Sequence, residues 1–156
     1  MKKLVLLAIL FSLFASTYTC AQIKETQKEK FQSTYTSSKA IVETQHYNFV
    51  GELVYNNKKR EKLSNDSNTI AIKKSEISGK VISLQSENKS FDVNGTVENY
   101  KASFDDDKQH IRIQFTVKTT TQTLEIFIDI KPNGNAFLTV SSGNYNTISW
   151  TGKIES

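Results

Sequence analysis

The sequence is poor in residues on which many small exported domains and many enzymes depend. Its 156 residues include one cysteine, Cys20, one proline, Pro132, six glycines and two histidines, His46 and His110. A disulfide needs two cysteines, so no disulfide within the chain can stabilise it. The same scarcity leaves little material for a metal site built from histidine and cysteine, or for a thiol nucleophile.

Neither sign of charge dominates the chain. Twenty basic residues stand against 16 acidic ones, but Lys2 and Lys3 lie in a leader that we expect to be removed, which leaves a charge of +2. The densest basic run, Lys58–Arg60 with Lys62, also contains Glu61 and has no aromatic residues between its charges. It predicts a solvated turn and not a phosphate-binding patch. The nearly balanced charge argues against a nucleic-acid partner.

Long apolar runs are also missing after the first 21 residues. Residues 4–15 are apolar, follow Lys2 and Lys3, and precede small residues, as in a secretory signal. The run is too short to span a bilayer, which takes about 20 apolar residues. We therefore expect residues 1–21 to be a signal peptide and the protein to be periplasmic or extracellular, with no transmembrane segment after leader removal.

Two cleavage sites are compatible with the leader. Cleavage after Ala21 gives a mature chain that starts at Gln22, and cleavage before Cys20 gives a lipoprotein acylated on that thiol. Tyr18 is bulky for the residues before a lipoprotein cysteine, which favours simple secretion. A single acyl chain would also be a weak anchor.

What is present in abundance is threonine, serine and asparagine, together with alternating apolar residues. Residues 22–45 predict a linker and then one helix over about 27–44, whose apolar side chains recur at helical spacing. Residues 46–156 predict an antiparallel β domain, because apolar and polar residues alternate with a period of two. The apolar positions of the best-patterned strands are Ile111, Ile113, Phe115, Val117, Leu124, Ile126, Ile128, Ile130, Ala136, Leu138 and Val140.

About eight such strands predict a mainly β fold, either an antiparallel sandwich or a small barrel, with one N-terminal helix. A long strand is predicted over residues 91–104, with a bulge near Gly95 or Asn99. The loops are of hairpin length, and Asn133-Gly134 is a strong turn signal. Because the inward positions carry no charge, they predict a packed interior.

Phe127 and Phe137 break the alternation, since each points to the face opposite its apolar neighbours. With an odd number of loop residues between their strands, the two rings lie diagonally across the outer surface, within reach of each other. One interpretation is that the N-terminal helix covers them with Phe31 and Tyr35, and this we favour. The other is that they form a patch for a partner or ligand.

Several stretches resemble a Bacteroidetes family of exported proteins known as domain of unknown function 4251. Asn133–Val140 and Ile148–Ile154 resemble its end, Tyr47–Phe49 its first strand and Phe91–Tyr100 its middle, so that the match covers residues 40–154. The resemblance implies a secreted or lipid-anchored protein of the cell envelope. It implies no activity and no catalytic residues.

The polar residues indicate no catalytic, cofactor-binding or metal-binding site. His46 and His110 read as surface histidines, and the consecutive Asp105, Asp106 and Asp107 read as a solvated hairpin tip. Four carboxylates could be combined for glycoside chemistry, but nothing singles them out. They are Glu52, Glu98, Glu125 and Asp129.

We therefore expect a non-enzymatic protein of the cell envelope that binds an apolar ligand or supports an assembly with an envelope protein, without a cofactor. An apolar molecule inside a barrel or a protein on the Phe127/Phe137 face would fit this expectation. The alternative is a hydrolase-like enzyme that uses carboxylates gathered at one rim.

Overall fold

The computed structural model describes residues 26–55, 60–63, 68–82, 90–143 and 145–156. The predicted leader and Cys20 lie outside these ranges, as do Lys58 and Lys59 of the basic run. Arg60 of that run was predicted to lie in a turn but begins a short, exposed strand. The first described element is helix α1, Gln27–Thr44. It confirms the helix predicted over about 27–44.

Helix α1 begins and ends where its local chemistry requires. Thr26 is the N-cap: its side chain accepts a hydrogen bond from the Glu29 N–H, and the Glu29 carboxylate accepts one from the Thr26 N–H at 2.7 Å. This capping box satisfies two N–H groups that have no partner inside the helix. Gln45 then takes a left-handed conformation, with φ at 53°, and stops the helix.

Ten strands follow in the described part of the chain. They are β1 (His46–Tyr55), β2 (Arg60–Lys62), β3 (Thr69–Lys73), β4 (Glu76–Ile82), β5 (Ser90–Asp92), β6 (Gly95–Asp105), β7 (His110–Lys118), β8 (Thr123–Ile130), β9 (Ala136–Ser142) and β10 (Tyr145–Glu155). All their pairings are antiparallel.

Eight of these strands close into a barrel. The order of neighbours is β1, β3, β4, β6, β7, β8, β9 and β10, and β10 pairs back onto β1. The short strands β2 and β5 pair with β1 and β4. The prediction of a mainly β fold with about eight strands is confirmed, and the architecture is the barrel.

The seam between β1 and β10 depends on a glycine at position 152. Gly51 lies opposite Gly152 in the register, and a Cβ atom at position 152 would overlap the carbonyl oxygen of Val50. Only glycine lets the two backbones approach this closely. The first and last strands therefore meet at a point that tolerates no side chain on β10.

The long strand predicted over residues 91–104 is divided in two. The Asn94 side chain accepts a hydrogen bond from the Gly79 N–H, and its own N–H donates to Asp92, both at 2.9 Å, so the ladder breaks between β5 and β6. The predicted bulge is present at Asn99, whose φ is 55° and where the register between β6 and β7 shifts. Polar side chains that capture backbone groups thus end the strand earlier than its apolar pattern suggests.

Helix α1 packs across one end of the barrel, against β1, β6 and β10. Tyr35 and Val42 from the helix join the buried core. In the turn between β6 and β7, the buried Gln109 donates hydrogen bonds of 2.8 Å to the Lys28 carbonyl and to the Gln32 side chain. In the part of the chain that the structure covers, no helix combines the length and the apolarity that crossing a bilayer demands.

Candidate functional site

The register of β8 and β9 brings Phe127 and Phe137 together on the outside of the barrel. Ile130 pairs with Ala136, so five residues form the loop, and Phe127 pairs with Thr139 while Asp129 pairs with Phe137. The two phenylalanines are diagonal neighbours, as the odd loop length predicted. Phe127 is 38% exposed, and it stands out as an exposed large hydrophobic residue among those described.

The helix does not cover these rings, so the interpretation that we favoured from the sequence is wrong. Tyr35 is buried against the turn between β6 and β7, where its hydroxyl bonds to Asp106. Phe31 faces a cleft beside Lys131 and Pro132. The reason is that the helix has too few apolar residues to cover both the end of the barrel and its outer face, and those it has pack on the end of the barrel.

The uncovered rings form one side of a shallow depression of about 340 Å³. We call it the aromatic shelf, defined by Phe127, Asp129, Lys131, Phe137 and Thr139. Its volume lies at the small end of the range of about 300–1,000 Å³ that is usual for ligand pockets. The shelf combines apolar rings with hydrogen-bonding groups of both kinds.

A charged cluster borders the shelf. The His110 ring contacts Asp129 Oδ1 through Nε2, and Lys131 Nζ lies 2.8 Å from Asp129 Oδ2. Lys131 Nζ is also 5.9 Å from the centre of the Phe137 ring, within the range of a cation–π contact. The Asp129 and His110 side chains are only 20% and 14% exposed, whereas that of Lys131 is 42% exposed. The cluster holds the Lys131 ammonium group at the end of the shelf.

A second depression, of about 540 Å³, lies between the start of α1 and two hairpin turns. We call it the helix cleft. Among the residues that line it are Lys28, Phe31, Asp107, Lys108, Lys131 and Pro132. Lys131 lines both the helix cleft and the aromatic shelf. The two depressions therefore adjoin at one side chain.

The three aspartates predicted to form a hairpin tip do so, and each faces a lysine. Asp105 lies 3.3 Å from Lys108, Asp106 lies 2.8 Å from Lys39, and Asp107 lies 3.3 Å from Lys28. Hydrogen bonds from the Lys108 backbone lower the pKa of Asp105, and hydrogen bonds from Lys39 and Tyr35 lower that of Asp106. A general acid for glycoside chemistry needs a raised pKa instead. These two carboxylates are ionised at neutral pH and serve as partners for lysine.

The inside of the barrel is filled by side chains. Phe49, Phe115, Ile128, Leu138 and Trp150 are all at most 1% exposed. Eight strands enclose an interior that is just wide enough for side chains to fill. An apolar ligand in the lumen, one of the two possibilities left open by the sequence, finds no support in this packing.

The remaining candidate residues are dispersed. His46 begins β1, and its ring contacts the Thr44 carbonyl at 3.0 Å. Glu98 pairs with Lys118 and Glu52 with Lys153 on other parts of the surface. Across the described ranges, no three histidine, cysteine or acidic side chains come together in a way that could hold a metal ion.

Sequence reasoning placed Phe127 and Phe137 on the outer face correctly but did not connect them with Asp129, His110 and Lys131. The connection was within reach, because Asp129 and Lys131 are two residues apart and so share a face. His110 begins the neighbouring predicted strand, and a short hairpin loop fixes the register between the two strands.

The comparisons with known proteins agree on one family. A sequence model of the family described as Domain of unknown function (DUF4251) matches residues 26–154. The chain is similar to a solved structure of a DUF4251 family protein from Bacteroides eggerthii, with 19% identity, 78% of this chain and 87% of that chain covered, and a TM-score of 0.67. That likeness shows a shared fold. No curated protein matches the chain.

Proposed function

The chain belongs to the DUF4251 family, and from that premise and the geometry of its barrel we propose that it is an exported, non-enzymatic domain that binds its ligand on the aromatic shelf. The observation that carries the proposal is the exposure of Phe127 beside Phe137 on an otherwise polar outer face. Exposing a large aromatic side chain to water is unfavourable, and exposed apolar patches rimmed by polar groups are typical of interaction sites.

Packing argues for the outside of the barrel. The interior positions of β7, β8 and β9 are occupied by buried aliphatic and aromatic side chains, so a ligand cannot enter without displacing them. Such displacement would cost about 1.5–3 kcal/mol for each large side chain that is pushed into water. The shelf is already open and needs no rearrangement.

Polar anchoring supports a binding role over a catalytic one. The carboxylate of Asp129 is held between His110 and Lys131, and the aspartates of the hairpin tip are held by lysines. A carboxylate that is engaged by neighbouring side chains in this way fixes their positions, which is a structural role. The rival function, a hydrolase that uses rim carboxylates, has no specific observation in its favour.

The binding proposal is tested with the neutral apolar dye N-phenyl-1-naphthylamine and NMR spectra of the protein's aromatic side chains. We expect the dye to perturb the resonances of Phe127 and Phe137 and to lose at least tenfold in affinity in the double variant Phe127→Ser, Phe137→Ser. The matched control is Tyr55→Ser, which removes a partly exposed aromatic ring at the other end of the barrel. Perturbation of the buried Trp150 and Phe115 resonances instead would place the ligand in the lumen and refute the proposal.

The export proposal rests on the leader at residues 1–21 and has its own test. The intact mass of the protein recovered from its native host should correspond to a chain that starts at Gln22 and carries no acyl group. A mass that includes a diacylglyceryl group on Cys20 would replace secretion by lipid anchoring. A chain that keeps Met1 or begins elsewhere in the leader, recovered from the cytoplasm, would refute export.

A further inference from the structure

We infer that the ligand of the aromatic shelf is an uncharged oligosaccharide, which runs from the shelf past Lys131 into the helix cleft. The inference rests on the proposed function and deepens it by naming the ligand class. Three properties of the surface support it. Its backbone N–H and C=O groups are already paired, its charges are balanced, and its polar groups both donate and accept hydrogen bonds beside aromatic rings.

The first property is the state of the backbone. Strand β8 pairs with β7 over Thr123–Ile130 and with β9 over Glu125–Ile130, so the shelf is a sheet face and not a sheet edge. Peptides that bind sheets obtain much of their affinity from main-chain hydrogen bonds at an exposed edge. Here a ligand has to be held by side chains alone.

The second property is the balance of charge. The lysines of the two depressions each lie next to an aspartate: Lys28 with Asp107, Lys108 with Asp105, and Lys131 with Asp129. Like charges are not concentrated on either side of Lys131. A surface of this kind offers no net attraction to an acidic peptide or to an anionic membrane, both of which are bound by excess positive charge.

The third property is the mixture of chemistry that remains. Lys131 and Thr139 supply N–H and O–H donors, the Thr139 hydroxyl also supplies an acceptor, and Phe127 and Phe137 supply aromatic rings. Sugar hydroxyls both donate and accept hydrogen bonds, and the C–H faces of sugar rings pack on aromatic rings. Lys131 belongs to both depressions, so a chain of sugar units can continue from the shelf, of about 340 Å³, into the helix cleft, of about 540 Å³.

The test is an NMR titration of the isotope-labelled protein with four neutral probes: cellotetraose, maltotetraose, mannotetraose and chitotetraose. We expect at least one of them to shift the resonances of Phe127, Phe137 and Lys131, with an affinity that changes less than threefold between low and high salt. The salt test is decisive because the screening length falls from about 30 Å at 0.01 M to about 3 Å at 1 M. Charge-driven binding would weaken strongly over that range.

Variants assign the contacts. Phe127→Ala and Phe137→Ala should each weaken binding at least tenfold. Lys131→Gln, which keeps a hydrogen-bond donor, should retain affinity within threefold, and Lys131→Leu should not. Tyr55→Ala is the control on a distant surface. Because these side chains all lie on the outer face, the unperturbed Trp150 resonance of each variant verifies that the barrel is intact.

Two outcomes separate the failure of this inference from that of the proposed function. If the apolar dye maps to the shelf but no neutral probe binds up to about 10 mM, the inference is overturned and the proposed function stands. The same holds if a peptide of alternating Glu and Leu, or vesicles of phosphatidylglycerol, bind the shelf in place of the saccharides. If neither dye nor saccharide reaches the shelf, both proposals are refuted.

Discussion

The hydroxyl of Tyr35 in helix α1 donates a hydrogen bond of 2.6 Å to Oδ1 of Asp106, in the turn between β6 and β7. Lys39, one turn further along the helix, reaches the same oxygen at 2.8 Å. Tyr35 and Lys39 lie 71 and 67 residues before Asp106 in the sequence. They tie the helix to the rim of the barrel.

The first prediction concerns acid stability and follows from Asp106. Hydrogen bonds from Lys39 and then Tyr35 lower its pKa in the folded state below the unfolded value of 3.8. A carboxyl group whose pKa is lower in the folded than in the unfolded state stabilises the protein at pH values above its unfolded pKa. That stabilisation is lost as the pH falls through the folded pKa. Asp106→Asn should therefore destabilise the protein at pH 7 but not at pH values below the folded pKa of Asp106.

Urea unfolding of the wild type and the variant at a series of pH values measures the difference. Asp107→Asn is the matched control, because the Asp107 side chain is 99% exposed and lies 3.3 Å from Lys28 Nζ. Identical pH profiles for the two variants would contradict the role given to Asp106.

The second prediction concerns alkaline stability. The hydroxyls of Tyr47 and Tyr100 meet at 3.1 Å, and burial raises the pKa of both side chains above the ordinary value of 10.0. A side chain whose pKa is higher in the folded than in the unfolded state stabilises the protein at pH values below its unfolded pKa. That stabilisation is lost as the pH rises. The wild type should therefore lose stability above about pH 10, and Tyr47→Phe should lose less over the same interval.

Unfolding by urea at neutral and alkaline pH, with tyrosinate absorbance as the probe of ionisation, checks this expectation. Tyr47→Phe leaves the Tyr100 hydroxyl without its partner, so the variant should start about 0.5–1.5 kcal/mol lower at neutral pH. Tyr55→Phe serves as the control. A Tyr47→Phe profile that is parallel to the wild type at all pH values would show that Tyr47 does not control the alkaline limit.

The third prediction concerns the seam of the barrel. Gly152→Ala places a methyl group on the Val50 carbonyl, so β1 and β10 must separate, and we expect a loss of at least about 3 kcal/mol in the free energy of unfolding. Gly143→Ala is the control, because a Cβ there meets nothing within 4 Å. Its effect should stay within about 0.5 kcal/mol. Equal effects in thermal or urea unfolding would refute the close approach at the seam.

The fourth prediction concerns the bulge in β6. Asn99 has a φ of 55°, a left-handed conformation that β-branched residues avoid. Asn99→Val should cost about 1–2 kcal/mol of stability. Asn99→Gly fits the same backbone and should stay close to the wild type, although it loses the 3.3 Å hydrogen bond from the Asn99 side chain to Thr116. A tolerated valine, measured by urea unfolding, would show that the bulge relaxes.

Features of the fold that depend on local interactions could be predicted from the sequence, and features that depend on contacts between distant segments could not. The faces of β7, β8 and β9 followed from alternation, since the period of two is a local property of each strand. The barrel did not follow, because a sandwich buries the same faces, and only the pairing of β1 with β10 distinguishes the two. The position of the helix also escaped prediction, since Phe31 and Tyr35 match the outer phenylalanines as well as they match the barrel end.

Only part of the candidate site could be predicted from the sequence, for a similar reason. Phe127 and Phe137 stood out because they break the apolar pattern of their own strands. Lys131 did not stand out, because a lysine after a strand is ordinary. Its significance comes from Asp129 beside it and His110 on the next strand.

The pairing of β1 with β10, at which Gly51 lies opposite Gly152, also determines when the barrel can close. Strand β1 lies near the beginning of the domain and its partner β10 supplies the final residues, so no partial chain can form a closed ring. If the chain crosses a membrane N-terminus first, β1 keeps one unpaired edge until β10 has been made and transported. Such distant pairings make folding slow, and during that delay the chain is most open to chaperones and to self-association.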